Sequence, residues 1–233
     1  MNDHWWMFDR LLNIDESILL TINGLHTSVL DSVMWYISGK LTWIPFYVSL
    51  LICLICNISI KRLLIYIVAL VLCIYFADQI CASVIRPIVG RLRPSNIDNY
   101  ISPMIHLVNG YRGGSYSFPS CHAANTFALA AYMSCILKRS YQTWLFFIWA
   151  ALVSCSRIYL GVHYPSDILV GAMFGLFSGG LFYWLGTMSG KAIYPSPGMP
   201  VTIARPDVTR MGNMLPAVAF GGTLVVFLIL ALF

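Results

Sequence analysis

Six runs of about 20 mostly apolar residues dominate the chain, at 30–56, 63–85, 121–137, 143–162, 166–188 and 215–233. A run of that length, wound as a helix, matches the hydrocarbon thickness of a bilayer. In lipid such a helix satisfies its own backbone polar groups. Hydrophobic residues make up 59% of the 233 residues and charged residues 10%, which excludes both a water-soluble globule and a disordered chain. The expected architecture is therefore all-α, a polytopic membrane helix bundle of about six transmembrane helices. It reads as a single domain over 1–233, with a motif core at 86–167 and an extra C-terminal span at 215–233.

Finer features follow. Gly39, Lys40 and Pro45 interrupt the first run, which predicts a kink or a break. Residues 5–22 mix Trp, Leu and Ile with Asp9, Arg10, Asp15 and Glu16. That mixture suits an N-terminal interfacial helix, or equally a short helix packed on the bundle. Trp5, Trp6, Trp35 and Trp43 read as interfacial anchors. Two segments are not membrane-like: 86–120, with its arginines, prolines and glycines, and the Pro/Gly-rich connector 189–214. A net charge of +5 is too modest for a nucleic-acid binder. Of the cysteines, all but Cys121 lie in apolar runs and read as small hydrophobes, so no disulfide framework is expected.

Threading the spans puts Lys61, Arg62, Lys138, Arg139, Lys191, Arg205 and Arg210, against Asp207 alone, on one face. The basic pairs in short loops mark that face as cytoplasmic. The opposite face holds three chemistry-bearing clusters: Arg86 to Pro94, Ser117 to His122, and Ser156 to Asp167. They sit at an exit, a re-entry and a second exit, so connectivity gathers them at one membrane surface. Charges at that depth need partners or a task. The planar forks of Arg86, Arg93 and Arg157 suit the oxygens of a tetrahedral anion, above all phosphate. Ser120, Cys121 and His122 open a helix, whose free N–H groups also favour an anion. Asp167, four residues past His163, can fix that imidazole's tautomer and free its other nitrogen to attack. His122, from a different segment, can protonate a leaving oxygen. Arg91 and Arg112 contact either a second phosphate or sugar, or lipid headgroups. Asp78 reads as support within the bundle, and His26 and His106 receive no role.

These strings resemble the three signature motifs of the type 2 phosphatidic acid phosphatase family, which includes undecaprenyl pyrophosphate and lipid A phosphatases. The family pattern is Lys, six residues, Arg-Pro; then Pro-Ser-Gly-His; then Ser-Arg, five residues, His, three residues, Asp. Here it reads Arg86 to Arg93-Pro94, Pro119-Ser120-Cys121-His122, and Ser156-Arg157 to His163 to Asp167. The resemblance implies His163 as the phosphorus nucleophile, Asp167 as its orienter and His122 as the proton donor. It implies Arg86, Arg93, Ser120, Cys121 (through its backbone) and Arg157 as the phosphate cradle. It also implies no metal and no other cofactor. Arg86 stands where the family has Lys, and Cys121 where it has Gly.

The implied function is an integral membrane phosphatase acting on undecaprenyl pyrophosphate or lipid A phosphate through a phosphohistidine. Its partners would be the lipid-phosphate substrate and the bilayer. It would sit in a bacterial inner membrane with its site facing the periplasm. Alternatives are a phosphatidylglycerophosphate or phosphatidate phosphatase, a non-hydrolytic lipid or anion transporter, and a metal site built from Cys121, His122, His163 and Asp167. A neutral His163 working with a protonated His122 predicts a bell-shaped pH profile.

Overall fold

A computed structural model describes residues 3–193 and 206–232. The middle of the 189–214 connector, Arg205 included, lies outside the described residues, as do the side chains of Trp5, Trp6, Lys61 and Asp207. The helices are α1 (Asp3–Asn23), α2 (Ser28–Ser38), α3 (Ile44–Asn57), α4 (Ile60–Gln79), α5 (Arg86–Val89), α6 (Cys121–Leu137), α7 (Ser140–Tyr159), α8 (Pro165–Ile193) and α9 (Pro206–Leu232). Among the described residues no strand forms beyond a bridge between Leu92 and Tyr116. The chain is an all-α membrane helix bundle.

Among the described residues, Arg62–Val89, Pro165–Ile193 and Arg210–Leu232 are each long and apolar enough to cross a membrane, and α2 with α3 together form a bent pair of the kind found in broken spans and re-entrant loops. The other two expected spans, α6 and α7, are not among these: α6 is apolar but shorter, at 17 residues, and it packs against α4, α7 and α8. The lipid-facing character sits outside, on residues such as Val71 of α4, Phe177 of α8 and Val218 of α9, all exposed.

The expected interruption of the first run is a bend of 76° between α2 and α3. Side chains and backbone together satisfy the carbonyls at the bend. Tyr36 O accepts the Gly39 N–H at 3.1 Å, the Thr42 hydroxyl shares its one proton between Tyr36 O at 2.6 Å and Gly39 O at 2.7 Å, and Trp43 Nε1 donates to Ile37 O at 2.8 Å. Trp43 is thus no interfacial anchor: it is 1% exposed, filling the elbow against Phe46, Trp149, Phe220 and Phe227. Trp35 is likewise drawn inward, edge-on to Tyr111 at 5.5 Å.

Helix α1 packs on α7 and α8. It buries Asp15, Leu19 and Asn23 and leaves Leu11, Ile14 and Ile18 exposed. The C-terminal span is pinned at the end of the bundle away from the motifs. There Asn57 Nδ2 donates to Asn213 Oδ1 at 2.7 Å and Gln142 Nε2 to Asn213 O at 2.9 Å. Among the described residues no disulfide forms, Cys53 and Cys56 included although they have Cys-x-x-Cys spacing.

The contact that positions the chemistry lies between α6 and α8. Gly171, Gly175 and Gly179 recur every four residues along one face of α8, opposite Ser120, Ala124, Ala128 and Ala131. Small residues let helix backbones approach where lipid offers no hydrophobic drive. A Cβ at Gly171 would lie 2.4 Å from Ser120 O, and one at Gly175 would lie 2.4 Å from Ala124 O. Backbone cannot swing aside as a flexible side chain can. Gly175→Val should therefore push the helices apart at about 1–3 kcal/mol. The expected readout is a lower unfolding midpoint in detergent with reduced activity; an unchanged midpoint would refute this account of the contact.

Candidate active site

A π-helical turn, Ile80–Ile85, carries α4 into α5, and such turns re-aim the residues that follow them. Here the next residue is Arg86. Its Nη2 donates to Pro119 O at 3.0 Å and to Cys121 Sγ at 3.1 Å. The two positions that depart from the family pattern are therefore in contact with each other. The larger fork of Arg86 reaches the thiol that Cys121 supplies in place of a bare glycine.

Arg93 lies in the loop beyond α5. Its backbone is held by Ser115 O at 3.1 Å and by the Asn99 side chain, which donates to Arg93 O at 3.0 Å. Its Nη1 donates to Val162 O at 3.1 Å and lies 3.3 Å from His163 Nε2. Arginine only donates, so His163 Nε2 accepts and the imidazole proton sits on Nδ1. Nδ1 is 3.3 Å from Asp167 Oδ2, which also accepts the Tyr164 N–H at 2.9 Å. His163 and Asp167 are both buried. Gly161 makes this turn possible: its φ is +68°, and a Cβ there would lie 2.3 Å from Ile105 Cγ2.

Arg157, at the end of α7, is buried. It donates to the Ser38 hydroxyl and, at 3.4 Å, to Tyr111 OH. Ser120 caps α6 through its hydroxyl, and its own N–H donates to Asp167 O at 3.0 Å. His122 follows in the first turn and opens onto a cavity shared with Arg157. Every residue expected to carry the chemistry thus lies at one end of the bundle, as connectivity required.

The electrostatics of the cluster call for an anion. The Nε groups of Arg86, Arg93 and Arg157 are buried and have no hydrogen-bond partner among the described residues, an uncommon state for native donors. Burial, then the neighbouring charges of Arg86 and Arg157, pushes the Arg93 guanidinium down to about 10, so it stays charged near neutrality. His163 is held well below the usual imidazole range, by burial first and then by Arg93, Arg157 and Arg86. It is therefore neutral, the form in which an imidazole can act as a nucleophile.

Two further arginines have partners within the protein. Arg91 donates to Asp15 Oδ2 at 2.7 Å, Ser166 Oγ at 2.7 Å and Asp167 Oδ1 at 3.1 Å, and its guanidinium lies 3.6 Å over the Tyr164 ring. Arg112 donates to Ser95 O at 2.6 Å and Ser102 Oγ at 2.9 Å, stapling its own loop. Both sit beside backbone and side-chain oxygens that take up their donors. His106 and His26 also have structural work: His106 Nε2 is 2.7 Å from Asp31 Oδ2, and the His26 ring stacks on it at 4.0 Å. Asp78 accepts from Asn125 Nδ2 at 2.8 Å, support within the bundle as expected.

Sequence reasoning missed Asp15, Ser38, Lys40 and Tyr111. Lys40 carried a readable signal, as a charge beside Gly39 in an apolar run. Asp15 carried only its place on a mixed helix. Among the described residues no group of three or more His, Cys, Asp or Glu is arranged to hold a metal ion, so Cys121, His122, His163 and Asp167 do not form a ligand set.

The lipid A 4'-phosphatase of Bacteroides thetaiotaomicron is 42% identical over 212 residues, covering 90% of this chain and 94% of that protein. The lipid A 4'-phosphatase of Porphyromonas gingivalis is 35% identical, covering 75% of this chain and 74% of that protein. Aquifex aeolicus LpxE has the same fold, with a TM-score of 0.53 and 23% identity, covering 71% of this chain and 92% of that one. The family model for the PAP2 superfamily matches residues 62–191, a segment holding all three motifs, and the chain belongs to that superfamily.

Proposed function

We propose that this membrane lipid phosphatase removes phosphate from lipid A by way of a phosphohistidine on His163. One observation carries the reading: a neutral imidazole, with Nδ1 on Asp167 and Nε2 on Arg93, faces a cluster of guanidiniums with unpartnered donors. In the first step His163 Nε2 bonds to phosphorus and the bond from phosphorus to the leaving oxygen breaks. Arg86, Arg93, Arg157, Ser120 and the backbone at Cys121 hold the three other oxygens, and Asp167 holds the proton on Nδ1. His122 gives its proton to the leaving oxygen. Water then attacks the phosphohistidine, His122 takes a proton from that water, and phosphate departs. The arginines stabilise charge that develops in transit. A transporter has no use for a nucleophile with its own orienting carboxylate. The two lipid A 4'-phosphatases, which this chain matches over most of its length, support lipid A over other lipid phosphates. The basic short loops support a bacterial inner membrane setting with the site on the periplasmic side. The shared contacts of α6, α7 and α8 with the flanking helices support one domain around the 86–167 core, with α9 as an added span.

The test is phosphate release from lipid A, undecaprenyl pyrophosphate and phosphatidate by detergent-purified protein. Lipid A should be preferred. His163→Ala should lose at least about 10³-fold in kcat, and His122→Ala about 10²- to 10⁴-fold. Release that survives His163→Ala removes it as nucleophile.

Because His163 is held below the usual imidazole range, its attacking form persists as pH falls. The acid limb of kcat/KM should therefore lie below pH about 6.5, the ordinary histidine value. Arg93→Gln removes one of the lowering charges and should move the acid limb upward. An acid limb already at or above that value in the unaltered enzyme contradicts the assignment.

Arg86 and Cys121 touch, so their substitutions should not add. Arg86→Lys, Cys121→Gly and the double variant should show a coupling of about 0.5–3 kcal/mol in kcat/KM. Additive effects would mean that the contact does nothing for turnover.

A further inference from the structure

Resting on the lipid phosphatase reading, the structure assigns a sugar-binding subsite to the cavity at the α2–α3 bend, with Trp35 as its stacking platform and Lys40 as its polar reader. The cavity measures about 440 Å³ and is lined by Trp35, Tyr36, Lys40, Tyr111, His122 and Arg157, with Ser38 beside them. Its position fixes what can occupy it. A leaving oxygen must lie against the proton donor, so the group attached to that oxygen extends from His122, away from His163. Both this cavity and a second of about 290 Å³ border His122, and both include Ser38, Gly39 and Lys40.

The two cavities differ in chemistry. To the groups the two share, the smaller adds the apolar side chains of Trp43, Ile74 and Val153 together with Tyr47, Asn125 and Thr126. The larger presents indole and phenol rings with hydroxyls and one ammonium between them. Rings set edge to face, as Trp35 and Tyr111 are at 5.5 Å, offer a flat apolar face beside polar handles. A pyranose has the matching anatomy: C–H groups on one face to lie on a ring, hydroxyls around its rim to accept from donors. Ser38 and the Tyr111 hydroxyl already accept from Arg157, but a linear prenyl chain or a diacylglycerol would leave the Lys40 ammonium facing hydrocarbon. Lys40 is exposed, and no carboxylate among the described residues forms an ion pair with it. Its three donors are therefore available to sugar hydroxyls or to a second anionic group on the sugar. The substrate class is thus a glycosyl phosphate carrying lipid chains, its sugar on Trp35.

The experiment uses the full-length protein in detergent, with Trp35→Ala, Lys40→Gln and Lys40→Arg. Kinetics are measured on a phosphorylated glucosamine lipid, and inhibition by orthovanadate is measured in the same assay. Vanadate fills the phosphate cradle and has no sugar. The subsite requires KM for the glycolipid to rise at least tenfold in Trp35→Ala and Lys40→Gln, with partial recovery in Lys40→Arg. The vanadate inhibition constant should stay within threefold. A parallel rise in the vanadate constant would place both residues on the phosphate and overturn the subsite. An unchanged glycolipid KM would overturn it too. Wild-type protein that cleaves undecaprenyl pyrophosphate or phosphatidate but no phosphorylated sugar lipid would also overturn it, while leaving the lipid phosphatase standing. Absence of phosphate release from every lipid would instead defeat the reading on which the subsite rests.

Discussion

Backbone meets backbone along the α6–α8 seam, and the catalytic geometry depends on that approach. Ser120 begins α6 and Asp167 lies in the first turn of α8. The Ser120 N–H donates to the Asp167 carbonyl only because Gly171 leaves room for it. The same seam sets how far the first turn of α6, with His122, stands from the loop that presents His163. Lipid does not squeeze helices together as water does, so this closeness has to come from the shape of the residues. Three glycines supply it, and the rest of the site is hung from the two helix ends they fix.

Charge supplies the second layer. Three guanidiniums from α5, the following loop and α7 converge with few acceptors, an arrangement stable when a tetrahedral anion arrives to share them. Opposite them, Asp167 is restrained by Arg91, and Arg91 by Asp15 on α1. The N-terminal helix is therefore tied to the carboxylate that orients His163. Through the Arg91 guanidinium, a helix remote in sequence from all three motifs becomes part of their support.

Much of this was legible in the sequence, and the reasons differ by residue. The spans could be read because lipid demands long apolar helices. The convergence of Arg86, Arg93, His122, Arg157 and His163 could be read because alternating spans leave only two surfaces for the loops. Burial of Trp43 could not be read, since an aromatic at a helix break looks the same whether it meets headgroups or fills an elbow. The partners of Arg91 and Arg112, Asp15 and the Ser95 carbonyl, could not be read, because they are set by loop folding rather than by spacing. The contact between Arg86 and Cys121 was hidden for a similar reason. Each looked like a separate departure from a pattern, and only three-dimensional proximity shows that one departure accommodates the other.

The 76° elbow between α2 and α3 also bears on how a molecule with several greasy chains reaches buried histidines. A straight helix there would present an unbroken wall to the bilayer. The bent one leaves a notch at the depth of the reacting groups, floored by Trp43 and flanked by Tyr47, Ile74 and Val153. A substrate can then swing only its head inward while its hydrocarbon stays dissolved among neighbouring lipids. On the proposed function, extraction into water, the steepest barrier such a molecule would face, would then drop out of the cycle, and supply would be set by sideways diffusion in the leaflet.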